Sequence, residues 1–419
     1  MISRSEEPVP NGVVTTTNRN PLNLPDSNSP DLFLDHPTEE ERTGLWTKNG
    51  SMWKGALSLE AYIHREKHLS DQEFTKDGGI TWWILVDTRA KGRVILSACE
   101  SFRKKAFVFQ NGKTEDVITH GIGSVFCAPE CRRRGYAQRM ITLLGDKLRT
   151  WQISSEQRCV FSVLYSDIGK KFYADHGWEP FDSSHISLPA VSNSSSNGTA
   201  NGNGPANDHA LEATPLYASD LPRLCAIDEH LIRQTATHAP SSQTYIALTP
   251  NYAKISWHQA REDFVGLELH GRKPLIKGAI VGTEPGKRVW CYFNRVWYNP
   301  DPTSTTDNTL HILRLVVEEK GAFTWEKTSH EDMETYIPAI AALFKLARKE
   351  AHEWNMDDVE IWNPNEATVR AVRSLDPGAD IVHREQESIA SLMWYGERPN
   401  DGPVKGYVDW LANEKYGWC

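Results

Sequence analysis

The hydrophobic positions of residues 30–190 predict an ordered series of strands and helices. Apolar runs with the length of buried strands occur at Ile80 to Val86 and at Val94 to Ala98. A third run ends at Cys127, and a fourth spans Cys159 to Leu164. Between the third and fourth runs, apolar residues recur every three or four positions, as they do on one face of a helix: Ala137, Met140, Ile141, Leu144, Leu148 and Trp151.

Polar residues mark where the other helices of this region begin. Thr38, with Glu41 three residues later, forms a capping-box signature, and Ser58 precedes a second helical segment. Ser166 is the predicted N-cap of a helix that follows the fourth strand. Short strands near 32–37 and 185–188 complete the series, so residues 30–190 form one α/β domain.

The second half of the chain repeats the same order. Helix 219–234 is followed by three strand candidates, a long helix, a strand, a helix and a last strand: 275–281, 289–298, 310–317, 332–354, 359–362, 366–375 and 389–394. Two interpretations remain open. Residues 211–419 are either a degenerate copy of the first domain that contributes to a substrate pocket, or an unrelated α+β domain.

Composition divides the rest of the chain. Residues 1–29 are rich in Asn, Pro, Ser and Thr and predict a flexible leader. Residues 191–210 are a Ser-, Asn- and Gly-rich stretch with almost no large apolar residue, which is typical of a flexible linker. The predicted organisation is therefore a leader, a domain at 30–190, a linker and a domain at 211–419.

Charge and cysteine content narrow the classes of function. The formal net charge of -9 over 419 residues argues against a nucleic-acid partner. No apolar run is long enough for a membrane span, and the first residues do not form a secretory signal. Seven scattered cysteines favour a reducing compartment, so we expect a cytoplasmic protein. Cys127 and Cys131 lack the partner residues of a metal site, and no metal is expected.

The turn between the third strand and its helix carries the strongest chemical signal. Arg132 to Ala137 reads Arg-Arg-Arg-Gly-Tyr-Ala, just before the predicted helix. A helix N-terminus offers free N–H groups to a phosphate, Gly135 lets the backbone approach it closely, and the arginines add charge. The pattern is neither a Walker loop nor a dinucleotide fingerprint. It predicts a phosphorylated cofactor; the alternative is an ordinary turn with a solvated basic patch.

Two motifs resemble the GCN5-related N-acetyltransferase (GNAT) superfamily, whose co-substrate is acetyl-CoA. The Arg-x-x-Gly-x-Ala of residues 132–137 resembles the pyrophosphate loop of that superfamily. Phe172-Tyr173-x-x-x-Gly177-Trp178 resembles its later Phe-Tyr-x-x-x-Gly-Phe motif. The resemblance implies a mixed, largely antiparallel sheet with a central splay, and one acetyl-CoA site per chain, because the motif occurs once.

The resemblance also implies roles for individual residues. The acetyl-CoA contacts would come from the end of the third strand and from the turn: Val125, Phe126, Cys127, Arg132, Arg133, Arg134, Gly135, Tyr136 and Ala137. Ser166 stands where the superfamily often has an asparagine that contacts CoA. Tyr173 would be the general acid that protonates the leaving thiolate. The alternative is that Tyr173 only packs beside Phe172.

An amine acceptor also needs a base, because a lysine side chain has a pKa near 10.4 in water. Glu66, on the second helix, and Glu100, after the strand that ends at Ala98, are the candidates in the sequence. The alternative for each is an ordinary surface carboxylate.

Four stretches, one of which includes the 132–137 turn, resemble a fungal family of lysine N6-acetyltransferases that act on free L-lysine in its catabolism. They are Leu59 to Glu66, Val94 to Lys105, Gly123 to Met140 and Glu414 to Cys419. This resemblance, rather than any residue pattern, suggests L-lysine as the small-molecule substrate. A protein or polyamine acetyltransferase and a non-catalytic acetyl-CoA-binding scaffold remain alternatives.

Overall fold

The computed structural model describes residues 24–87, 89, 93–191, 211–238, 243–318 and 334–418. Residues 1–23 of the predicted leader and 192–210 of the predicted linker lie outside the described residues. The helices are α1 to α8 in chain order: Glu39–Trp53, Leu59–Ser70, Tyr136–Leu148, Lys171–Ala174, Leu221–His238, Tyr252–His270, Ile337–Glu353 and Glu366–Leu375. The capping box of Thr38 and Glu41 and the Ser58 cap are both confirmed.

The first sheet is mixed, as predicted. Seven of its strands follow one another in space: Leu32–Asp35 (β1), Ile80–Asp87 (β2), Ile95–Gln110 (β3), Lys113–Phe126 (β4), Cys159–Ser166 (β5), Ile389–Trp394 (β15) and Glu179–Pro180 (β6). β4 and β5 run parallel, whereas the other neighbours on this path are antiparallel. Helix α3 packs on one face of this sheet through Met140, Ile141 and Leu144.

The second sheet repeats the order of the first. Its strands in space are Val382–His383 (β14), Ser184–Pro189 (β7), Asp358–Trp362 (β13), Thr309–Val317 (β12), Val289–Val296 (β11), Ile276–Val281 (β10) and Thr214–Tyr217 (β8). β10, β11 and β12 are antiparallel, and β12 then runs parallel to β13 with α7 between them in the chain. This is the order of β2 to β5, so the second half has the same core arrangement as the first.

The two sheets exchange strands. We expected 185–188 to close the first sheet, but β7 pairs with β13 of the second sheet. Conversely, β15 leaves the second half and inserts between β5 and β6 of the first sheet. Both segments are apolar and strand-like, and periodicity identifies a strand without identifying its partner. The sequence pattern therefore placed both strands well and assigned both to the wrong sheet.

The β3–β4 hairpin is longer than the hydrophobic pattern indicated. It turns at Asn111 and Gly112, which both have positive φ, as a two-residue hairpin turn requires. The far end of β3 pairs with Thr244–Leu248 (β9), which in turn pairs in parallel with Val408–Trp410 (β16). The second half thus adds two more strands beside the first sheet.

A buried ion-pair network fixes the C-terminal segment between the two sheets. Arg314, on β12, contacts Asp228 of α5 at 2.9 Å and also pairs with Glu414. The other Glu414 oxygen accepts the Leu315 N–H at 3.1 Å. A buried charge is costly unless it is paired, so this arrangement holds residues 414–418 in one place. Among the described residues, no helix has the length and apolar character needed to cross a bilayer.

Strand exchange predicts that the first half does not fold alone. Residues 1–191 expressed by themselves should lack a cooperative thermal transition, because β5 loses its β15 neighbour and exposes an apolar edge. Co-expression with residues 192–419 should restore a folded complex that co-purifies. Cooperative unfolding and CoA binding by the 1–191 fragment alone would contradict this account.

Candidate active site

The parallel strands β4 and β5 separate at one end. Their pairing runs from Ile118 with Cys159 to Ile122 with Leu164, although β4 continues to Phe126 and β5 to Ser166. β4 instead follows β3, with a register shift near Ser124, whose φ is 52°. β5 is held on its other side by β15. The result is the predicted splay, an opening between Val125–Cys127 and the end of β5.

The basic turn that follows the splay exposes backbone N–H groups. Arg133 has φ 60° and Gly135 has φ 83°, and Gly135 is the N-cap of α3 without a side-chain cap. The first bond of that helix runs from the Arg139 N–H to the Gly135 carbonyl at 2.9 Å. The N–H groups of residues 133–138 have no acceptor among the described residues. They form a cradle suited to a phosphate group.

The three arginines of the turn differ in their contacts. Arg132 donates its Nε to the Cys127 carbonyl at 2.9 Å and so closes the turn on the end of the strand. Arg133 and Arg134 are exposed and have no ion pair with any residue that the structure describes. Both side chains are therefore available to an anionic ligand. The turn therefore has the donors and charge that the pyrophosphate of an acyl-CoA requires.

Residues 25–27 lie beside the cradle. The Tyr136 hydroxyl donates to the Pro25 carbonyl, and a Cβ added at Gly135 would come 2.6 Å from the Ser27 Oγ. The body of the Tyr136 side chain is buried in the core beneath α3, so its predicted cofactor contact would be through the backbone. Ala137 follows it in the first turn of the helix.

Val125 and Phe126 are the last residues of β4, and Cys127 is the first residue of the loop that follows. Phe126 is buried and pairs with Ala98 of β3, whereas Val125 and Cys127 are partly exposed. The Cys127 thiol donates to the Leu96 carbonyl at 3.4 Å, and burial raises its pKa to about 11. Cys127 is therefore a packing thiol. The described residues contain no group of three or more His, Cys, Asp or Glu side chains arranged to hold a metal.

Tyr173 packs in the same core cluster as Val125, Cys127 and Leu164, but the helix that carries it is shorter than expected. Helix α4 begins at Lys171, so the prediction that Ser166 caps it is wrong. The Ser166 hydroxyl instead accepts the Ile168 N–H at 3.2 Å and donates to the Gly169 carbonyl at 2.7 Å, which closes a turn. This local turn satisfies the serine before any helix starts.

The Tyr173 ring is buried, and its hydroxyl makes no hydrogen bond to the described residues. Burial raises its pKa, and the neighbouring Cys99 and Asp167 raise it further, so the phenol stays protonated. It packs edge-on against Phe172, with ring centroids 4.9 Å apart. A protonated hydroxyl without a protein partner matches the predicted acid, and the packing contact is present as well.

Glu100 is the buried carboxyl of this region. Cys99 and Leu164 pack beneath α3, and alternate strand residues face opposite sides, so Glu100 faces away from that helix. Only 8% of Glu100 is exposed, and it has no ion pair with the described residues. Burial raises its pKa to about 7, and the charge of Glu66 adds to the shift. Ser124, Trp46 and Trp82 oppose the shift.

The structure separates the two carboxylates that the sequence left equivalent. Glu66 is paired with Arg65, whose Nη2 lies 2.6 Å from Glu66 Oε1. Glu100 lacks such a cation and titrates near neutral pH, where a general base works best. Neither is an ordinary surface carboxylate. Of the two carboxyl groups, Glu100 is thus the one with a pKa near neutral pH.

The second half supplies charged residues that sequence reasoning missed. Arg261 of α6 shifts the pKa of Tyr62, as Arg65 and Glu66 of the first half also do. The charge of Tyr298 in turn raises the pKa of Arg261. Burial lowers the pKa of Arg261 to about 10. Lys415 lies in the buried C-terminal segment. In the sequence, Lys415 is marked only by its aromatic neighbours Tyr416 and Trp418, because the other residues that it meets in the fold are distant from it along the chain.

Comparison with known proteins agrees with this geometry. The LYC1 GNAT-like C-terminal domain matches residues 185–419, which is more than half of the chain. The chain belongs to this GNAT family. It is a GNAT-family N-acyltransferase, and membership implies an acyl-CoA co-substrate. The match begins at the first strand that crosses into the second sheet.

Two curated proteins are similar to the chain. An uncharacterised protein of Saccharomyces cerevisiae is 25% identical over 433 residues, which cover 94% of this chain and 99% of that protein. A lysine acetyltransferase of Yarrowia lipolytica is 25% identical over 260 residues, which cover 55% of this chain and 65% of that protein.

Solved structures with similar folds include two enzymes of the acyltransferase class. A GCN5-related N-acetyltransferase from Anabaena variabilis is 16% identical with a TM-score of 0.48, covering 87% of this chain and 73% of its own. The N-myristoyltransferase of Saccharomyces cerevisiae with bound myristoyl-CoA is 9% identical with a TM-score of 0.49, covering 90% and 81%.

The cradle predicts that Gly135→Ala weakens CoA binding. The positive φ and the Ser27 contact should force the turn to shift, and we expect at least about a tenfold rise in the Kd for CoA by calorimetry. Gly112→Ala is the matched control, because Gly112 also has positive φ (75°) but nothing lies within 4 Å of the added Cβ. Equal CoA affinity in both variants would refute the cradle.

The raised pKa of Glu100 predicts a pH-dependent gain in stability for Glu100→Gln. The folded protein binds this proton more tightly than the unfolded chain does. The wild-type protein therefore loses unfolding free energy as the pH rises from about 4.5 to about 7, where the buried carboxyl must ionise. The variant should gain up to about 3 kcal/mol in unfolding free energy at pH 8 and little at pH 5. Urea titrations at both pH values measure this.

Glu115→Gln is the control for that comparison, because Glu115 is exposed and its bond to Arg158 lowers its pKa. It should show no gain at pH 8. A loss of stability in Glu100→Gln that is equal at pH 5 and pH 8 would contradict the assignment.

Proposed function

We propose that the chain transfers the acetyl group of acetyl-CoA to the N6 amine of free L-lysine. The single observation that carries the mechanism is the placement of Glu100, a buried carboxyl without a cation beside the splay. It faces the side of the sheet on which helices α1 and α2 pack against the second sheet. An acceptor held on that side would meet Glu100 from one direction and the splay from the other.

Each residue then has a defined task. Residues 133–138 hold the pyrophosphate, and acetyl-CoA supplies the activated acyl group as a thioester. Glu100 takes the proton that the acceptor amine must lose, and its pKa near 7 lets it do so at neutral pH. Tyr173 keeps its proton and donates it to the departing thiolate. The two proton-transfer groups are thus a neutral acid and a carboxylate with separated pKa values.

Both the similar proteins and the charges of the site support L-lysine as the acceptor. A lysine acetyltransferase is among the similar proteins, and the chain shares the stretches of the lysine N6-acetyltransferase family quoted above. The cations of the second half suit an acceptor that carries a carboxylate, and Glu66 with Glu100 suits its amine.

The test is release of free CoA from acetyl-CoA in the presence of L-lysine, polyamines and lysine-containing peptides. We expect turnover with L-lysine well above that with the other amines, and N6-acetyl-lysine as the product by mass spectrometry. Glu100→Gln should lose at least about a hundredfold in kcat/KM near neutral pH. Its binding of CoA should be unchanged.

Two outcomes would overturn the proposed activity or acceptor, and a third would overturn only the proposed base. A preference for polyamines or peptides would assign the other acceptor class. CoA binding without turnover on any amine would indicate a scaffold. Full activity of Glu100→Gln at neutral pH would remove the proposed base and leave the acceptor assignment standing.

A further inference from the structure

Five side chains of the second half form an alternating stack of cations and indole rings. The Arg384 guanidinium lies 4.1 Å from the Trp362 ring centroid, and the Lys415 Nζ lies 4.3 Å from the same ring. Lys415 also lies 4.6 Å from the Trp418 ring, and the Arg261 guanidinium lies 5.9 Å from that ring. We call these five residues the cation stack. It brings three positive charges together.

The donors of the cation stack are only partly satisfied by the protein. Arg384 is 7% exposed; its Nη1 donates to the Ser184 carbonyl at 2.9 Å, but its buried Nε and Nη2 have no partner in the structure. Lys415 is 3% exposed and makes no hydrogen bond or ion pair with the described residues. Two donors of one guanidinium are thus buried without acceptors among the described residues, an arrangement that is costly unless a ligand satisfies it.

Glu360 carries a negative charge that acts on both Arg384 and Lys415. Glu360 lies 3.2 Å from His311 and 3.5 Å from His185. It also accepts the Trp362 Nε1–H at 2.8 Å. Burial lowers the pKa of Lys415 to about 7, and the charges of Glu360 and Asp167 oppose this shift without cancelling it. An anion entering here would stabilise the charged forms of all three cations.

The cation stack borders the proposed reaction centre. The Tyr165 ring, one residue before Ser166 at the splay, lies 5.7 Å from the Trp362 ring. Asp167 raises the pKa values of both Tyr173 and Lys415, so it lies within electrostatic range of each. At the other end of the stack, Glu66 raises the pKa of Arg261.

We propose that the cation stack is a carboxylate-binding subsite for the acyl acceptor, with Arg384 and Lys415 as the residues that contact the carboxylate. This inference rests on the proposed function and deepens it. When the carboxylate of an acceptor binds here, the amine of that acceptor points toward Glu66 and Glu100. The subsite selects free amino acids and rejects diamines, because a second ammonium group would be repelled by three cations.

The physical reason for choosing a carboxylate is the set of donors. The guanidinium edge of Arg384 offers Nε and Nη2 side by side, which is the fork that binds a carboxylate through two parallel hydrogen bonds. Lys415 adds a third donor held over two indole rings. The indoles exclude water from the ligand and stabilise the cations while the site is empty of substrate.

The test compares L-lysine with 1,5-diaminopentane, which is lysine without its carboxylate. Wild-type protein should favour L-lysine. In Lys415→Met and in Arg384→Gln, the KM for L-lysine should rise about 10- to 100-fold. Their kcat should change little, since the carboxylate is held equally before and during the reaction. The kcat/KM for the diamine should stay constant or rise.

Lys405→Met is the matched control, because it makes the same change at an exposed position ten residues away in the same segment. It should leave both KM values unchanged. Thermal unfolding checks that Lys415→Met folds, and Lys415→Arg should restore part of the affinity for L-lysine. Calorimetric titration of L-lysine into the CoA-bound protein measures the subsite without turnover.

The results separate the two proposals. An undiminished preference for L-lysine over the diamine in both variants would overturn the subsite and leave the acetyltransferase activity intact. Absence of wild-type turnover on every amine would overturn the proposed function. In that case, calorimetric binding of L-lysine that is lost in Lys415→Met would still support the subsite, and absence of binding would overturn it.

Discussion

The exchange of two strands between the sheets is the constraint on which the rest of this structure depends. Along its whole length, β15 pairs with one edge of β5. Because β5 is held on that side, its other edge can separate from β4 at the splay. β7 makes the reciprocal crossing into the second sheet. The two halves are therefore interlocked, and the core cluster that contains Trp46 and Trp82, the neighbours of Glu100, is built from both.

Local features of this fold were predictable because each depends on a short stretch of sequence. The capping box at Thr38, the helix after Gly135 and the repeated strand order followed from periodicity and caps. Strand partners were not predictable, because β7 and β15 have the apolar character that either sheet would accept. The Ser166 cap failed since a local turn competed for the same hydroxyl.

The site divides in the same way. The phosphate cradle is contiguous in sequence, so residues 132–137 indicated it directly, and the positive φ values at Arg133 and Gly135 agree with that prediction. The character of Glu100 depends on burial between distant helices, and the cation stack depends on residues from four segments. A buried carboxyl and a buried lysine look like ordinary charges in a sequence. Only their surroundings reveal the shifted pKa values.

The central claim is that residues of both halves form one active site, in which the CoA cradle lies near a carboxylate-binding acceptor site. A crystal structure with CoA and L-lysine bound tests it most directly. The account predicts pyrophosphate oxygens on the N–H groups of residues 133–138, the lysine Nζ within about 3.5 Å of Glu100 or of a water that it binds, and the lysine carboxylate on Arg384 and Lys415. Lysine bound elsewhere, or with its carboxylate toward Glu100, would contradict it.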